Sequence, residues 1–365
     1  MENNFVVIMA GGIGSRFWPV SKSLYPKQFL DIFGTGKSLI QSTYDRFAAI
    51  VPKENIFIVT HETHFDIVKE QLPQIPNDRI LAEPIMRNTA PCIAYACHKI
   101  KAINPDATIV VTPSDHLILD ENNFTESIAK ALKAASKEDR LITLGIRPSR
   151  PDTGYGYIQY LDGLDKDGLD KEEFKKVKTF TEKPNLDIAQ TFIQSGDFLW
   201  NSGIFIWSVN SITKALGRYV YELNEIFAEG EKYLNSEQEK QFIALAYQRC
   251  PNISIDFAVM EKAENVYVLP VTFGWSDLGT WASVYELAEK DFTGNLSIPS
   301  KNVMFYDSKD CMVSVGENKL VVLQGVNNLI IAESDDVLLI IPRDQEQNLK
   351  QILTDVKSKH GNKYL

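Results

Sequence analysis

The stretch from Val6 to Leu30, VVIMAGGIGSRFWPVSKSLYPKQFL, constrains the fold more than any other part of the chain. A run of apolar residues passes without a spacer into a glycine-rich turn and then into fixed cations. Such a run reads as a buried strand. Gly11, Gly12 and Gly14 can take positive φ and bring backbone amides close to an anion, while Arg16 and Lys27 carry charge to the same neighbourhood. A strand that ends this way is a phosphate-binding device, and the ligand it implies is a nucleoside triphosphate.

Three phosphate motifs compete for this region. A dinucleotide fingerprint needs G-x-G-x-x-G, but after Gly12 and Gly14 the third position is Phe17. A P-loop is suggested by Gly34-Thr35-Gly36-Lys37-Ser38, yet Asp31 stands where that motif needs its first glycine, and no apolar strand leads into it. The plainer reading makes Gly34 and Gly36 a turn and Ser38 the cap of the helix that follows. The third pattern, GGxGxR followed by PKQ, survives.

The chain has 365 residues, 44% of them hydrophobic, which is more than one ordinary domain and enough to bury a substantial core. One large and one small domain are expected. With 38 basic against 48 acidic residues the net charge is −10, which argues against a nucleic-acid surface and makes any cations at a nucleotide local. Cys92, Cys97, Cys250 and Cys311 have no metal-ligand spacing and read as structural thiols in a reducing compartment. Met1-Glu2-Asn3-Asn4 passes directly into FVVIMA, with no leader pattern, and no apolar run approaches ~20 residues. The expectation is a cytoplasmic protein with no membrane partner.

Along the first half, Phe5 to Ala10, Ile56 to Thr60, Arg79 to Ala82, Thr108 to Thr112 and Leu141 to Ile146 read as strands. Ser38 to Ile50, Glu62 to Gln71, Thr89 to Ile103 and Asn122 to Ser136 read as helices. That alternation implies a parallel sheet covered by helices, with ligand outside the carboxyl ends of the strands, where Gly11, Glu83, Ser114-Asp115 and Arg147 emerge. Strands at Tyr155 to Tyr160 and Lys176 to Phe180 flank an acidic, solvent-facing excursion at Asp162 to Asp170. Ser208 to Met260 is mostly helical, and strand returns at Val266. Asp291, Gly294, Asn295 and Pro299 mark a boundary, which divides the chain into residues 1–290 and 291–365. Beyond it, CMVSVG, KLVVLQG, NLIIAES and DVLLIIP are short strands, and Asp344 to Lys359 is a charged terminal helix.

Gly11-Gly12-Ile13-Gly14-Ser15-Arg16 with Pro26-Lys27-Gln28-Phe29-Leu30 resembles the signature of the sugar-nucleotide pyrophosphorylases. The form FWPVSKSLYPKQFL is similar to the branch that transfers guanylyl groups to mannose 1-phosphate. Glu83-Pro84-Ile85-Met86-Arg87-Asn88-Thr89-Ala90-Pro91, Pro113-Ser114-Asp115-His116, Gly154-Tyr155-Gly156-Tyr157-Ile158, Phe180-Thr181-Glu182-Lys183-Pro184, Trp200-Asn201-Ser202-Gly203 and Trp275-Ser276-Asp277-Leu278-Gly279 resemble the same enzymes in the same order. The resemblance implies a Rossmann-like α/β nucleotidyltransferase domain with a mixed, mainly parallel sheet. It also implies a small β-solenoid-like C-terminal domain used in subunit contacts, and hence a homodimer.

The activity implied is formation of GDP-mannose and pyrophosphate from GTP and mannose 1-phosphate, by direct displacement at the α-phosphorus. Such chemistry rests on positioning and electrostatics. Gly11, Gly12, Gly14, Ser15 and Ser114 would lie along the nucleotide, with the Arg16 fork at the β- and γ-phosphates and Lys27, oriented by Pro26, at the reacting phosphate. Lys22 is a lesser phosphate candidate. The resemblance pairs Asp115 and Asp277 as ligands of Mg2+, an ion that typically takes only one or two protein carboxylates. Read alone, Asp277 fits a helix cap equally well. His116 reads as a hydrogen-bonding neighbour of the metal site.

Glu83 can accept from the donors on the guanine edge, and Asn88 or Thr89 can reach base or ribose, although Asn88 also fits the cap of the helix starting at Thr89. Arg87 is either a ligand contact or a carboxylate partner. Gly154, Glu182, Lys183 and Asn201 are the implied sugar-phosphate contacts, with Lys183 on the phosphate. Trp200, Phe205 and Trp207 read as core, and His61 and His64 lack zinc-protease spacing. The rivals are thymidylyl or uridylyl transfer to glucose 1-phosphate, guanylyl transfer to a heptose or fucose phosphate, and a non-catalytic nucleotide-sugar sensor. A sensor would be expected to lack a phosphate cation or metal carboxylate, yet Arg16, Lys27, Asp115 and Asp277 are all present. No additional isomerase domain is expected, because the residues after Lys290 are few and contain only His360.

Overall fold

The computed structural model describes residues 2–12, 14–161 and 173–365, so the acidic excursion at Asp162 to Asp170 lies outside the described residues. Chain contacts gather into two compact units. The first comprises residues 1–11, 44–114 and 118–275, and the second comprises residues 12–43, 115–117 and 276–365.

The first unit is built on a nine-stranded sheet. Its strands are β1 (Asn4–Ala10), β2 (Ile56–His61), β3 (Ile80–Glu83), β4 (Thr108–Pro113), β5 (Leu141–Ile146), β6 (Gly156–Tyr160), β7 (Lys175–Glu182), β8 (Phe198–Ser208) and β9 (Val266–Val271). They lie in the order β3-β2-β1-β4-β8-β5-β9-β7-β6. The β3-β2-β1-β4 half is parallel, and each of these strands is buried almost throughout rather than on alternate residues. That pattern marks a sheet covered on both faces. Parallel pairing puts the carboxyl ends of β1, β3 and β4 on one edge, with Glu83 as the last residue of β3.

The other half is knit mainly by antiparallel pairs around β8. This strand pairs with β4 along its second half and with β5 from Trp200 to Trp207, and its first residues also pair with β6, so β8, β5, β9, β7 and β6 close on themselves. The helix Thr89–Ile103 is buried along most of its length and contributes Ala90, Ile93, Tyr95, Cys97 and Ile100 to the main core, with Val7, Phe57, Ile109 and Trp207 from the sheet. The four cysteines of the chain are buried thiols.

In the second unit, Leu296–Ser297, Met312–Ser314 and Leu329–Ser334 stack in parallel, and Val303–Tyr306 pairs in parallel with Val321–Gln324. Val337–Pro342 closes the first stack antiparallel to Leu329–Ser334. Successive short parallel rungs are the solenoid pattern that the resemblance implied. The terminal helix opens as a 3-10 stretch, Arg343–Asn348, before the α-helix Leu349–His360. Among the described residues no helix is long and apolar enough to cross a membrane.

Candidate active site

In the second unit the glycine loop rests on the PKQ motif. Gly14 has φ +62°, and a Cβ built on it would stand 2.7 Å from both the Cβ and the backbone nitrogen of Lys27. Any side chain at that position collides with the lysine backbone, so only glycine allows this close approach. Gln28 Nε2 donates to the carbonyl of Gly12 at 3.0 Å, fixing the loop from below. Pro26 is extended and starts the single 3-10 turn Lys27–Phe29, which turns the Lys27 side chain inward, where it is buried.

The ammonium of Lys27 pairs with Asp115 Oδ2 at 2.9 Å and donates to the carbonyls of Asp277 at 2.7 Å and Leu278 at 3.0 Å. A lysine has three N–H donors, and three protein acceptors meet them here. One cation therefore gathers two segments that are far apart in sequence, each bearing an expected metal ligand. Burial would push the Asp115 carboxyl up, but the charge of Lys27, with a smaller part from His116, outweighs it and holds the group below its ordinary value. His116 Nε2 lies 4.0 Å from Asp115 Oδ1, beside the carboxylate.

Asp277 is not the helix cap that its turn allowed. The cap is Thr280, which forms a reciprocal capping box with Ser283. Asp277 Oδ1 instead accepts from the amide of Gly279 at 2.9 Å, and Leu278 takes φ +45° with its amide on Ser276 Oγ. This tight turn directs the carbonyls of Asp277 and Leu278 at Lys27. Arg16 is exposed on the 3-10 turn Ser15–Phe17 that follows the glycines. Its Nη1 lies 3.2 Å from where a Cβ on Gly279 would stand, so the guanidinium borders the same turn.

Two other loop residues are accounted for. Lys22 pairs at 2.6 Å with Asp335, in the turn that joins the last two strands. In the apparent P-loop, Asp31 itself accepts the amides of Thr35 at 2.9 Å and Gly36 at 2.6 Å. The residue that breaks the motif thus occupies amides that a phosphate would need.

In the first unit Glu83 is buried, and Tyr247 donates its hydroxyl to Glu83 Oε1 at 2.9 Å. Burial pushes this carboxyl up to about 7, with the Tyr247 hydrogen bond working in the opposite direction. A Cβ on Gly11 would stand 3.9 Å from Glu83 Oε2, so the end of β1 faces this acid. Asn88 is a cap: its φ is +68° and its Oδ1 accepts the amide of Thr89 at 2.9 Å. The Thr89 hydroxyl accepts the amide of Ile255 at 2.9 Å, and Arg87 donates to the Tyr247 carbonyl at 3.3 Å rather than to a carboxylate. Ser114 is buried at the end of β4, with its amide on the Met9 carbonyl.

The TGYGYI, FTEKP and WNSG motifs also meet in this unit. Gly156 pairs with Glu182 across β6 and β7, and a Cβ there would stand 2.5 Å from Glu182 Oε2. Gly154, the glycine expected at the sugar, donates its amide to Asp152 Oδ1 at 2.8 Å. Lys183, at φ +48°, pairs with its neighbour Glu182. Asn201 donates from Nδ2 to Asp256 Oδ1 at 2.8 Å. Asp256 opens a π-helical turn, Asp256–Met260. Tyr247 and Asp256 carried no motif signal, because each matters only through a partner far away in sequence, whereas Gln28 lies in the PKQ motif but had no role assigned to it.

The model for the nucleotidyl transferase family matches residues 5–294, and that of a MannoseP isomerase/GMP-like beta-helix domain matches residues 301–356. A mannose-1-phosphate guanylyltransferase from Salmonella montevideo is 36% identical over 98% of this chain and 75% of its own length. One from Escherichia coli is 36% identical over 95% of this chain and 74% of its own. Among solved structures, a protein described as mannose-1-phosphate geranyltransferase from Thermus thermophilus superposes with a TM-score of 0.85 at 29% identity, covering 97% of this chain and 99% of that one. The chain belongs to the nucleotidyl transferase family, among the mannose-1-phosphate guanylyltransferases.

Proposed function

We propose that this chain forms GDP-mannose and pyrophosphate from GTP and α-D-mannose 1-phosphate by direct displacement at the α-phosphorus. The observation that carries the reading is the Lys27 ammonium, which touches Asp115 and the carbonyls of Asp277 and Leu278 at once. Backbone carbonyls are weak competitors for a cation beside a phosphate oxygen, so Lys27 can exchange one of them for the α-phosphate without leaving its place. In this reading Gly11, Gly12, Gly14, Ser15 and Ser114 line the nucleotide, and Arg16, exposed beside its turn, receives the β- and γ-phosphates.

Nucleotidyl transferases of this family use a divalent metal. Asp115 and Asp277 fit one: both donors are hard oxygens, both segments are held by the same ammonium, and Mg2+ draws the rest of its shell from phosphate and water. Bound there, Mg2+ would neutralise charge on the triphosphate as pyrophosphate departs.

Glu83 as a carboxylate accepts from the paired donors on the guanine edge. Asn88 and Thr89 shape the same loop, their side chains already serving as cap and strut. Glu182, Lys183, Gly154 and Asn201 serve the sugar phosphate, with Lys183 on its phosphate. In the same proposal residues 1–290 are the catalytic domain and residues 291–365 a small domain for subunit contacts in a cytoplasmic homodimer.

Pyrophosphate release measured over a grid of five nucleoside triphosphates against mannose, glucose and fucose 1-phosphates tests the reading. GTP with mannose 1-phosphate should give the highest kcat/KM. A preference for dTTP or UTP with glucose 1-phosphate, or no release in any cell of the grid, overturns it.

A further inference from the structure

The amide of Asn201, expected to touch the hexose, is held on both sides by the protein. Its Nδ2 donates to Asp256 at 2.8 Å, and its Oδ1 accepts from the Thr143 hydroxyl at 3.1 Å and from the Gly203 amide at 3.2 Å. An amide fixed at both ends is a strut. The group it holds is Asp256, brought into the cluster by the π-helical turn, an insertion that recurs at functional sites.

Glu182 stands on the other side of Asn201. The Cβ position of Gly156 lies 2.5 Å from Glu182 Oε2 and 3.4 Å from Asn201 Cβ, so a glycine there keeps open the space these two side chains border. Glu182, Asn201 and Asp256 are all only partly buried. Lys183 is paired with Glu182, whereas the hydrogen-bond partner of Asp256 is a neutral amide. Burial, and then the like charge of Glu182, push the Asp256 carboxyl up to about 6, with Lys183 and Asn201 opposing. Two carboxylates that repel each other across an open glycine suit a ligand offering several neutral O–H donors, since each hydroxyl relieves part of the repulsion without adding charge.

We propose that Asp256 and Glu182 accept hydrogen bonds from adjacent ring hydroxyls of the hexose 1-phosphate, and that Asn201 is the positioning residue that holds Asp256 in place. Asp256 is then a determinant of sugar choice. The inference rests on the functional reading above, because it names contacts within that sugar site.

The test compares wild type, Asp256→Asn and Asp256→Ala with GTP and a series of mannose 1-phosphates, each lacking one ring hydroxyl. Asp256→Asn keeps an acceptor for Asn201 and removes only the charge. It should raise KM for mannose 1-phosphate about tenfold or more, with KM for GTP within about twofold, as loss of a charged hydrogen bond requires. At one deoxy position wild type and Asp256→Asn should become equal, because the hydroxyl that Asp256 binds is already missing. An Asp256→Asn variant with unchanged sugar KM, or with the same penalty on every deoxy sugar, overturns the proposal. A folded Asp256→Ala impaired equally for both substrates would mark the residue as merely structural. Wild type inactive with every sugar phosphate would instead overturn the underlying reading, so the two failures are told apart.

Discussion

Acids at the candidate sites of the two units are held in opposite ways. In the second, Asp115 shares a buried lysine with two backbone carbonyls and stays ionised below the ordinary carboxyl range. In the first, Glu83 and Asp256 have a tyrosine hydroxyl and an amide as their partners, and both are pushed up, to about 7 and about 6. A site for polyphosphate and a divalent ion needs opposite charges fixed in advance, so that little reorganises as charge moves. A site for a neutral base or sugar edge needs acceptors whose charge is costly until donors arrive. The difference matches the roles proposed above for these three acids: Asp115 for a metal beside a fixed cation, Glu83 and Asp256 for the hydrogen-bond donors of base and sugar.

The sharpest way to break that comparison is to remove the shared cation. Lys27→Ala strips charge from the reacting phosphate and leaves Asp115 without its ion-pair partner. We expect kcat to fall about 10²- to 10³-fold or more, the loss typical of a transition-state charge donor. GTP binding, followed by calorimetry, should persist in weakened form. Unchanged turnover would remove Lys27 from the chemistry altogether.

Next in size is the glycine that lets the loop lie on Lys27. Gly14→Ala forces a Cβ to within 2.7 Å of the Lys27 backbone at φ +62°. The strain of a left-handed non-glycine residue alone is about 1–2 kcal/mol, and relieving the clash has to move Lys27. A drop in kcat of roughly tenfold or more is expected if misplacing a catalytic group by about 1 Å costs what it commonly does. Gly12→Ala is the control, since a Cβ there meets nothing within 4 Å. Equal behaviour of the two variants would show that the loop does not bear on Lys27.

These two predictions also mark what the sequence could reveal. The glycines, Lys27 and both aspartates were legible, because strand, turn and cation follow one another and the motifs recur in a fixed order. That Lys27 is held by the carbonyls of Asp277 and Leu278 was not, since a backbone carbonyl has no residue identity to read. The parallel half of the sheet announced itself through continuous apolar runs such as Ile56 to Thr60. The antiparallel half did not, because β8 pairs with β4, β5 and β6, three strands that all precede it at long and unequal separations, and no local pattern specifies that. Asn201 was legible as a site residue but not as a strut, as its orientation depends on Asp256 in a segment whose pattern reads only as helix.

A third prediction turns on pH. Glu83 has a folded value of about 7 against an ordinary 4.5, so the native state keeps a proton that the unfolded chain gives up. The corresponding stability is complete below pH 4.5 and is lost as pH rises through 7, to the order of 3 kcal/mol. Asp115 has the reverse sign: its stabilisation is present above 3.8 and is lost only as pH falls below that value. Urea unfolding of Glu83→Gln should therefore flatten the decline between pH 4.5 and 7 while leaving the acid limb intact. In turnover, wild-type KM for GTP should fall as pH rises through 7, because only the carboxylate accepts both guanine donors, and the variant should lose that dependence. A wild-type stability that climbs through the same window would erase the contrast between the units.

The smallest effect belongs to Lys22. It sits in the signature loop, where a cation invites a phosphate role, but its ammonium is paired with Asp335, whose side chain is 75% exposed. An ion pair open to water is screened by salt and offset by the entropy of holding two long side chains. Lys22→Ala should then leave kcat/KM for GTP within about twofold, as expected for a cation that does not meet the phosphates in the transition state. Its melting temperature should match wild type at high salt. A loss comparable with that of Lys27→Ala would mean that Lys22 leaves Asp335 when the triphosphate binds, and the fixed charge of the second unit would then extend beyond the single buried ammonium.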